Sequence, residues 1–232
     1  MAVGNYYLVT SLPSLGELGS APPLAPAELM KRLAESHARD LVAAVLLADD
    51  LIQREAYLAG EVDEAEPAVL SVAQVQDDEP LPASLAPEPD AATAHQGPAS
   101  DAVWDVYFRH AHAVARRQNA AFLEAWVGFE VALRNALATA RAKALNLDPE
   151  TYVVAADLAD ADADVSRLVS EWADAANPFE GLRALDRGRW AWLFEHDAHF
   201  SFADAELTAY AAKLVLVARW HRLQQADRSS AT

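Results

Sequence analysis

Apolar residues along this chain recur at intervals of three and four, and almost nowhere at intervals of two. Leu41, Val45, Ala48, Ile52 and Ala56 form one such stripe, the spacing of a single helix face. It lies within 26–59. That stretch opens on Pro26, which suits a first helical position because its missing N–H costs nothing there. It pauses at Ser36, a candidate N-cap, and stops at Gly60. The longest stripe is Trp104, Phe108, Ala111, Ala115, Gln118, Phe122, Ala125, Phe129 and Ala132 or Leu133. Its four-three-four-three spacing is a heptad seam, with alanines that allow close helix approach. It predicts one helix over 101–146, capped by Ser100 or Asp101 and stopped by Asp148 and Pro149. Unbroken, that helix runs about 70 Å at roughly 1.5 Å per residue, with Gly128 as the place for a bend.

Shorter helices are expected around it. Val165, Leu168, Val169 and Trp172 share a face in 164–175, and one or two short helices fit 179–200. The last helix opens on Ser201 to Asp204, a capping-box pattern, and turns Leu207, Tyr210, Leu214 and Val217 inward. Arg219 and Arg222 near its end suit the helix dipole. Only 6–10 and 152–154 read as extended. The expected fold is all-α: a long-helix bundle with short connecting helices and a disordered acidic linker. The segments are 1–59, a linker over 60–100, a main helical domain over 101–226 and a tail over 227–232, forming one packed helical unit.

The linker stands out by composition. It holds nine acids (Glu61, Asp63, Glu64, Glu66, Asp77, Asp78, Glu79, Glu88 and Asp90), no Lys or Arg, and six of the chain's twelve prolines. Such a stretch buries too little apolar surface to offset its ordering entropy; only 69–75 (VLSVAQV) fits a helical surface, and the rest reads as a mobile acidic linker. The whole chain of 232 residues has a net charge of -17. A surface so acidic repels phosphate backbones and anionic lipid, which argues against a nucleic-acid partner. Cysteine is absent, so disulfides, thiolate metal sites and thiol catalysis are excluded. No apolar run reaches the length of a membrane span. The first residues lack the charged start and apolar stretch of a secretory signal, so a soluble cytoplasmic protein is expected.

Candidate chemistry is sparse. Asp160, Asp162, Asp164 and Glu171 occupy positions one, three, five and twelve of a calcium-loop register, but Val165 stands where that loop needs glycine and Arg167 where it needs an apolar residue. Their plainer reading is an acidic helix start. Asp49, Asp50 and Glu55 invite comparison with the magnesium-binding motifs of all-α pyrophosphate enzymes, in which carboxylates from facing helices hold Mg²⁺. Gln53 takes the place of the expected fifth-position acid, and the plainer reading is a solvated face with an Asp50–Arg54 pair. His196 and His199 are three apart, yet Phe194, Phe200 and Phe202 beside them suggest a packed corner. His110 and His112 point to different sides of a helix. Glu130 and Arg134 form an i,i+4 pair beside the heptad seam and are the candidates for registering neighbouring helices. The seam itself (Trp104, Phe108, Phe122, Trp126, Phe129 and Leu133) is the candidate packing or docking face. No glycine-rich phosphate loop and no nucleophile elbow occurs. No catalytic, cofactor-binding or metal-ligating residue is assigned.

Three stretches resemble one bacterial family. They are NYYLVTSLPSL from Asn5, followed by Pro22 and Pro23; FEVALRNALATARAK from Phe129, followed by LDPETY; and YAAKLVLVARW from Tyr210. The family is one of unknown function encoded in operons of V-type (A/V-type) ATPases. Its members resemble the helical collar of those ATPases (designated C, or d in eukaryotes), which joins rotor axle to membrane ring. The Glu130–Asn135 segment is similar to recurring helices of that collar. The resemblance implies a non-catalytic coupling or assembly protein with the rotor axle and membrane ring as partners. It would be peripheral to the membrane through the complex and would need no cofactor. The alternatives are a magnesium-dependent pyrophosphate hydrolase using Asp49, Asp50 and Glu55, and a stand-alone helical scaffold.

Overall fold

A computed structural model describes residues 3–86 and 98–230. Every regular element among them is helical, as the periodicity predicts. The chain divides into two compact units. One comprises Met1–Asp78 with Arg189–Thr232, and the other Glu79–Gly188, so neither boundary falls at an end of the expected 60–100 linker.

In the first unit, α1 (Val3–Ser11), α2 (Pro26–Arg32) and α3 (Arg39–Leu58) pack with the last helix, α9 (Asp204–Ser230). Helix α9 is its axis. From Leu207 to Ala218 only Tyr210 is less than fully buried, because neighbours cover the helix on several sides. That is a broader apolar surface than the single stripe predicted, and it is what a helix hydrophobic all round requires. Leu29, Leu33, Leu41, Leu46 and Leu51, on and just after α2 and on α3, keep almost no residual exposure. Each such leucine contributes about 1.5–3 kcal/mol by leaving water. Residues 6–10 are helical rather than extended. Thr10 and Ser11 fold their hydroxyls back onto the carbonyls of Tyr6 and Leu8, which satisfies the helix end locally.

In the second unit the long predicted helix is two. Helix α5 (Ala99–Arg117) and α6 (Ala121–Ala144) are joined by a turn in which Asn119 takes φ 51°. Asparagine tolerates that left-handed conformation better than most residues. The two helices pack on each other, so the heptad seam folds back on itself. Trp104, Phe108, Trp126, Phe129 and Leu133 are buried by it and Phe122 partly so. A seam satisfied in this way is not a free docking face. Gly128 marks a crossing, not a bend. A Cβ there would sit 3.2 Å from that of Asp160, and the Gly128 carbonyl accepts the Asp160 N–H at 3.1 Å. Short 3-10 turns at Pro149–Tyr152 and Ala156–Leu158 and helix α7 (Ser166–Ala173) lie against α6. Helix α8 (Pro178–His196) carries Gly181 and Gly188, whose missing side chains leave room for Trp172 and Leu168 of α7.

The acidic stretch is corrected outside 69–75, where a helical surface is expected and a helical turn is found. Over 60–86 it is ordered, with a helical turn α4 (Val72–Val75) closed by a Ser71–Gln74 capping box. Leu70, Val75 and Leu85 are buried while Glu61, Asp63 and Glu64 face solvent. Three apolar anchors and a set of backbone hydrogen bonds, described below, offset the ordering cost that its composition implies. The rest of the expected linker, 87–97, and the end of the tail lie outside the described residues.

Candidate functional site

The charged residues flagged by the sequence turn inward. Asp49 and Asp50, expected on a solvated face, are buried. Asp50 accepts the backbone N–H groups of Ala68, Val69 and Leu70 at 2.8, 2.7 and 2.8 Å. Burial pushes its carboxyl up to about 6, helped by the neighbouring Asp49 charge and opposed by those three N–H groups. Gln53 accepts the Glu66 N–H at 2.8 Å. Arg54 pairs with Asp77 and the Gln74 carbonyl rather than with Asp50. Three side chains within about one turn of α3, Asp50, Gln53 and Arg54, thus hold the main chain of 66–77. An extended segment needs such partners because its backbone has none of its own.

Asp49 looks the other way, toward α9. Arg222 donates to both its oxygens, at 2.9 and 2.7 Å, Gln53 adds a bond at 2.9 Å, and Arg219 lies 3.7 Å away. The hydrolase reading requires acids from a second helix at this point. The side chains that arrive are cations, and Glu55 is exposed to solvent. Among the described residues no group of three or more His, Asp or Glu side chains is placed to hold a metal ion. The calcium register is a pair of side-chain-capped turns. Asp160 accepts the Asp162 N–H and Asp164 accepts the Ser166 N–H.

The second unit uses its charges in the same way. Arg134 reaches across the helix pair to Asp101 of α5 at 2.9 Å and stacks 4.6 Å above the Trp104 ring. Arg134, one of the two expected registering residues, thus makes a contact between helices. The adjacent Asn135 is buried and clamps Val154. Its amide donates to the Val154 carbonyl at 2.8 Å and its oxygen accepts the Val154 N–H at 3.0 Å. Asp105 accepts the Ala155 N–H at 2.7 Å, where Ala155 takes φ 44°. Arg109 joins Asp105 to Asp157 and holds the Asp157 carboxyl below its ordinary range. Burial raises Tyr107, and the nearby Glu130 charge adds to that rise.

The aromatic corner in the first unit does the opposite. Its phenylalanines suggest packing in the sequence, yet Phe194 is 57% exposed, Phe200 83%, Tyr6 48% and Tyr7 76%. Ring contacts form two sets, Tyr7 to Tyr6 at 5.6 Å and Tyr6 to Phe202 at 5.0 Å, and Phe200 to His199 at 6.4 Å and His199 to Phe194 at 6.2 Å, joined along the chain by the 200–202 turn. Phe200 and Phe202 both have positive φ, 60° and 52°, a strained choice for bulky residues. Glu206 holds the turn by accepting the N–H groups of Phe200 and Phe202 at 3.1 and 2.8 Å. This replaces the predicted Ser201–Asp204 box. Ser201 accepts from Ala203, and Asp204 accepts from Asn5 at 2.6 Å, tying α1 to α9. Beneath the turn the buried Lys213 pairs with Asp197 and lies 4.6 Å from the Phe194 ring centre. His196 stacks on Trp192 at 3.9 Å. A run of aromatics so close to polar residues is the one sequence sign of this patch.

Comparison with protein-family models, with curated protein sequences and with solved structures gives no match. No helix among the described residues is long and apolar enough to cross a membrane.

Proposed function

We propose that the chain is a non-catalytic helical accessory protein that works by rigid packing against other proteins. The assembly we propose is a V-type ATPase, with this chain in a coupling or assembly role like that of the helical collar, cytoplasmic and touching the rotor axle and membrane ring. One observation carries the mechanical reading. The side chains best suited to chemistry (Asp49, Asp50, Arg222, Asp101, Arg134, Lys213 and Asp197) are committed to contacts that hold helices and connecting segments together. Paired charges in such positions fix register more than they add stability. A component that transmits force needs that fixity. The choice of assembly is supported by the three stretches beginning at Asn5, Phe129 and Tyr210.

The test is co-purification. A tagged full chain is expressed with the intact ATPase and isolated under conditions that preserve coupled proton or sodium transport. Stoichiometric recovery with axle and ring components is expected. A coupled, complete complex that lacks the chain would overturn the assignment.

A further inference from the structure

We infer that the aromatic corner of the first unit is a docking face for a positively charged amphipathic helix of another protein. This deepens the reading of the chain as a protein-binding component and rests on it, though not on the identity of the assembly.

The corner is an apolar surface in the open. Tyr7, Phe194 and Phe200 each present more than half of their area to solvent, on two ring sets that the 200–202 turn joins, and clustered aromatic exposure marks contact surfaces. Phe200 is displayed at a backbone cost. It sits in a left-handed turn that glycine would adopt without strain, and Glu206, on the first turn of α9, holds it there.

Charge decides the occupant. Of the segments that carry the rings, 3–12 has no charged side chain, and 190–212 has four acids (Glu195, Asp197, Asp204 and Glu206) and no Lys or Arg; Asp197 is neutralised by Lys213, which leaves three acids beside the rings. Lys213, the next cation along α9, is buried against Asp197. The chain as a whole carries -17. A second copy would bring the same acidic segments, and like charges across an interface oppose association. Anionic lipid and nucleic acid are disfavoured by the same sign. An apolar stripe flanked by Lys and Arg satisfies both the rings and the acids, and a helix laying such a stripe on an aromatic face is a recurring recognition mode.

The test uses the full-length chain and a fluorescein-labelled synthetic peptide of Leu and Lys, about 18 residues or five helical turns long, with its apolar residues on one face. Controls are a scrambled peptide of the same composition and a Leu–Glu counterpart. Fluorescence anisotropy should show saturable binding of the amphipathic Leu–Lys peptide that weakens with salt. Phe200→Ser and Tyr7→Ser should each weaken it by about tenfold or more, the effect of losing an aromatic anchor. Leu145→Ser, an equally exposed position in the other unit, should leave it unchanged. Circular dichroism and melting temperature of each variant confirm that it is folded. Absence of binding, equal binding of the scrambled or acidic peptide, or indifference to Phe200→Ser and Tyr7→Ser would each overturn the inference. A homodimer dissolved by Phe200→Ser, or uptake of the wild type alone by phosphatidylcholine vesicles, would overturn it in favour of a second copy or a lipid surface. Peptide binding without ATPase co-purification removes the ATPase assignment and keeps the docking face, and the reverse result does the opposite.

Discussion

The polar face of α3 and the aromatic corner at 194–206 belong to the same unit and place their side chains in opposite senses. On α3, two aspartates and a glutamine are buried; an extended segment depends on Asp50 and Gln53 for its hydrogen bonds, and Asp49 is held by Arg222 of α9. At the corner, four aromatic rings stand in solvent on and beside a strained turn. Burying charge and exposing aromatic surface both cost stability taken alone. The first is compensated inside the chain, since every burial on α3 has partners that can be named. The second is compensated only in part, by ring contacts and by Lys213 beside Phe194, and the docking proposed above would supply the rest.

That contrast can be broken experimentally. Asp50→Ala should lower stability by about 3–4 kcal/mol, since it strips three N–H groups of their acceptor at once. Denaturant titration would measure the loss, and limited proteolysis should find new cleavage within 66–77. A smaller or no loss would mean that the segment holds by its apolar anchors alone. The same carboxyl has a pH signature. Its folded-state value of about 6 lies above the ordinary value of 3.8, so the folded protein binds this proton more tightly than the unfolded chain. The contribution is fully present below about pH 4 and is lost as pH rises through 6. The difference is about 3 kcal/mol at roughly 1.4 per pH unit. Stability of the wild type measured against Asp50→Asn from pH 4 to 7 should fall with rising pH by that order, and a flat difference would refute it.

In the second unit, Asn135→Ala leaves the Val154 N–H and carbonyl without their side-chain partner and should cost about 2 kcal/mol, read as a lowered melting temperature. The smallest effect has the opposite sign. Phe200→Gly relieves the left-handed strain and should be neutral or stabilising by about 1 kcal/mol, while peptide binding is lost. A clear destabilisation would show that Phe200 supports the fold, not a partner.

Much of this is legible along the chain. Helical periodicity identifies the all-α class, because a stripe at three and four residues is a local property of the chain. It also locates α3, α7 and α9 to within a few residues. The 101–146 element misleads because a heptad seam looks the same whether it meets a partner or folds back on itself. The break at Gln118–Asn119–Ala120 carries no proline or glycine to announce it. The 60–86 stretch misleads because composition counts its acids but not the acceptors waiting on α3. Spacing gives no sign that Arg134 reaches Asp101, 33 residues away along the chain.

Helix content, the acidic surface and the apolar stripes follow from neighbouring residues and survive any arrangement of the pieces. Which carboxylates go inside, which stretch of backbone they hold, and which aromatics are left without cover depend on groups that meet only after folding, over separations such as Asp49 to Arg222. Short-range pattern determines the parts, and desolvation in the assembled core determines what each charge is for.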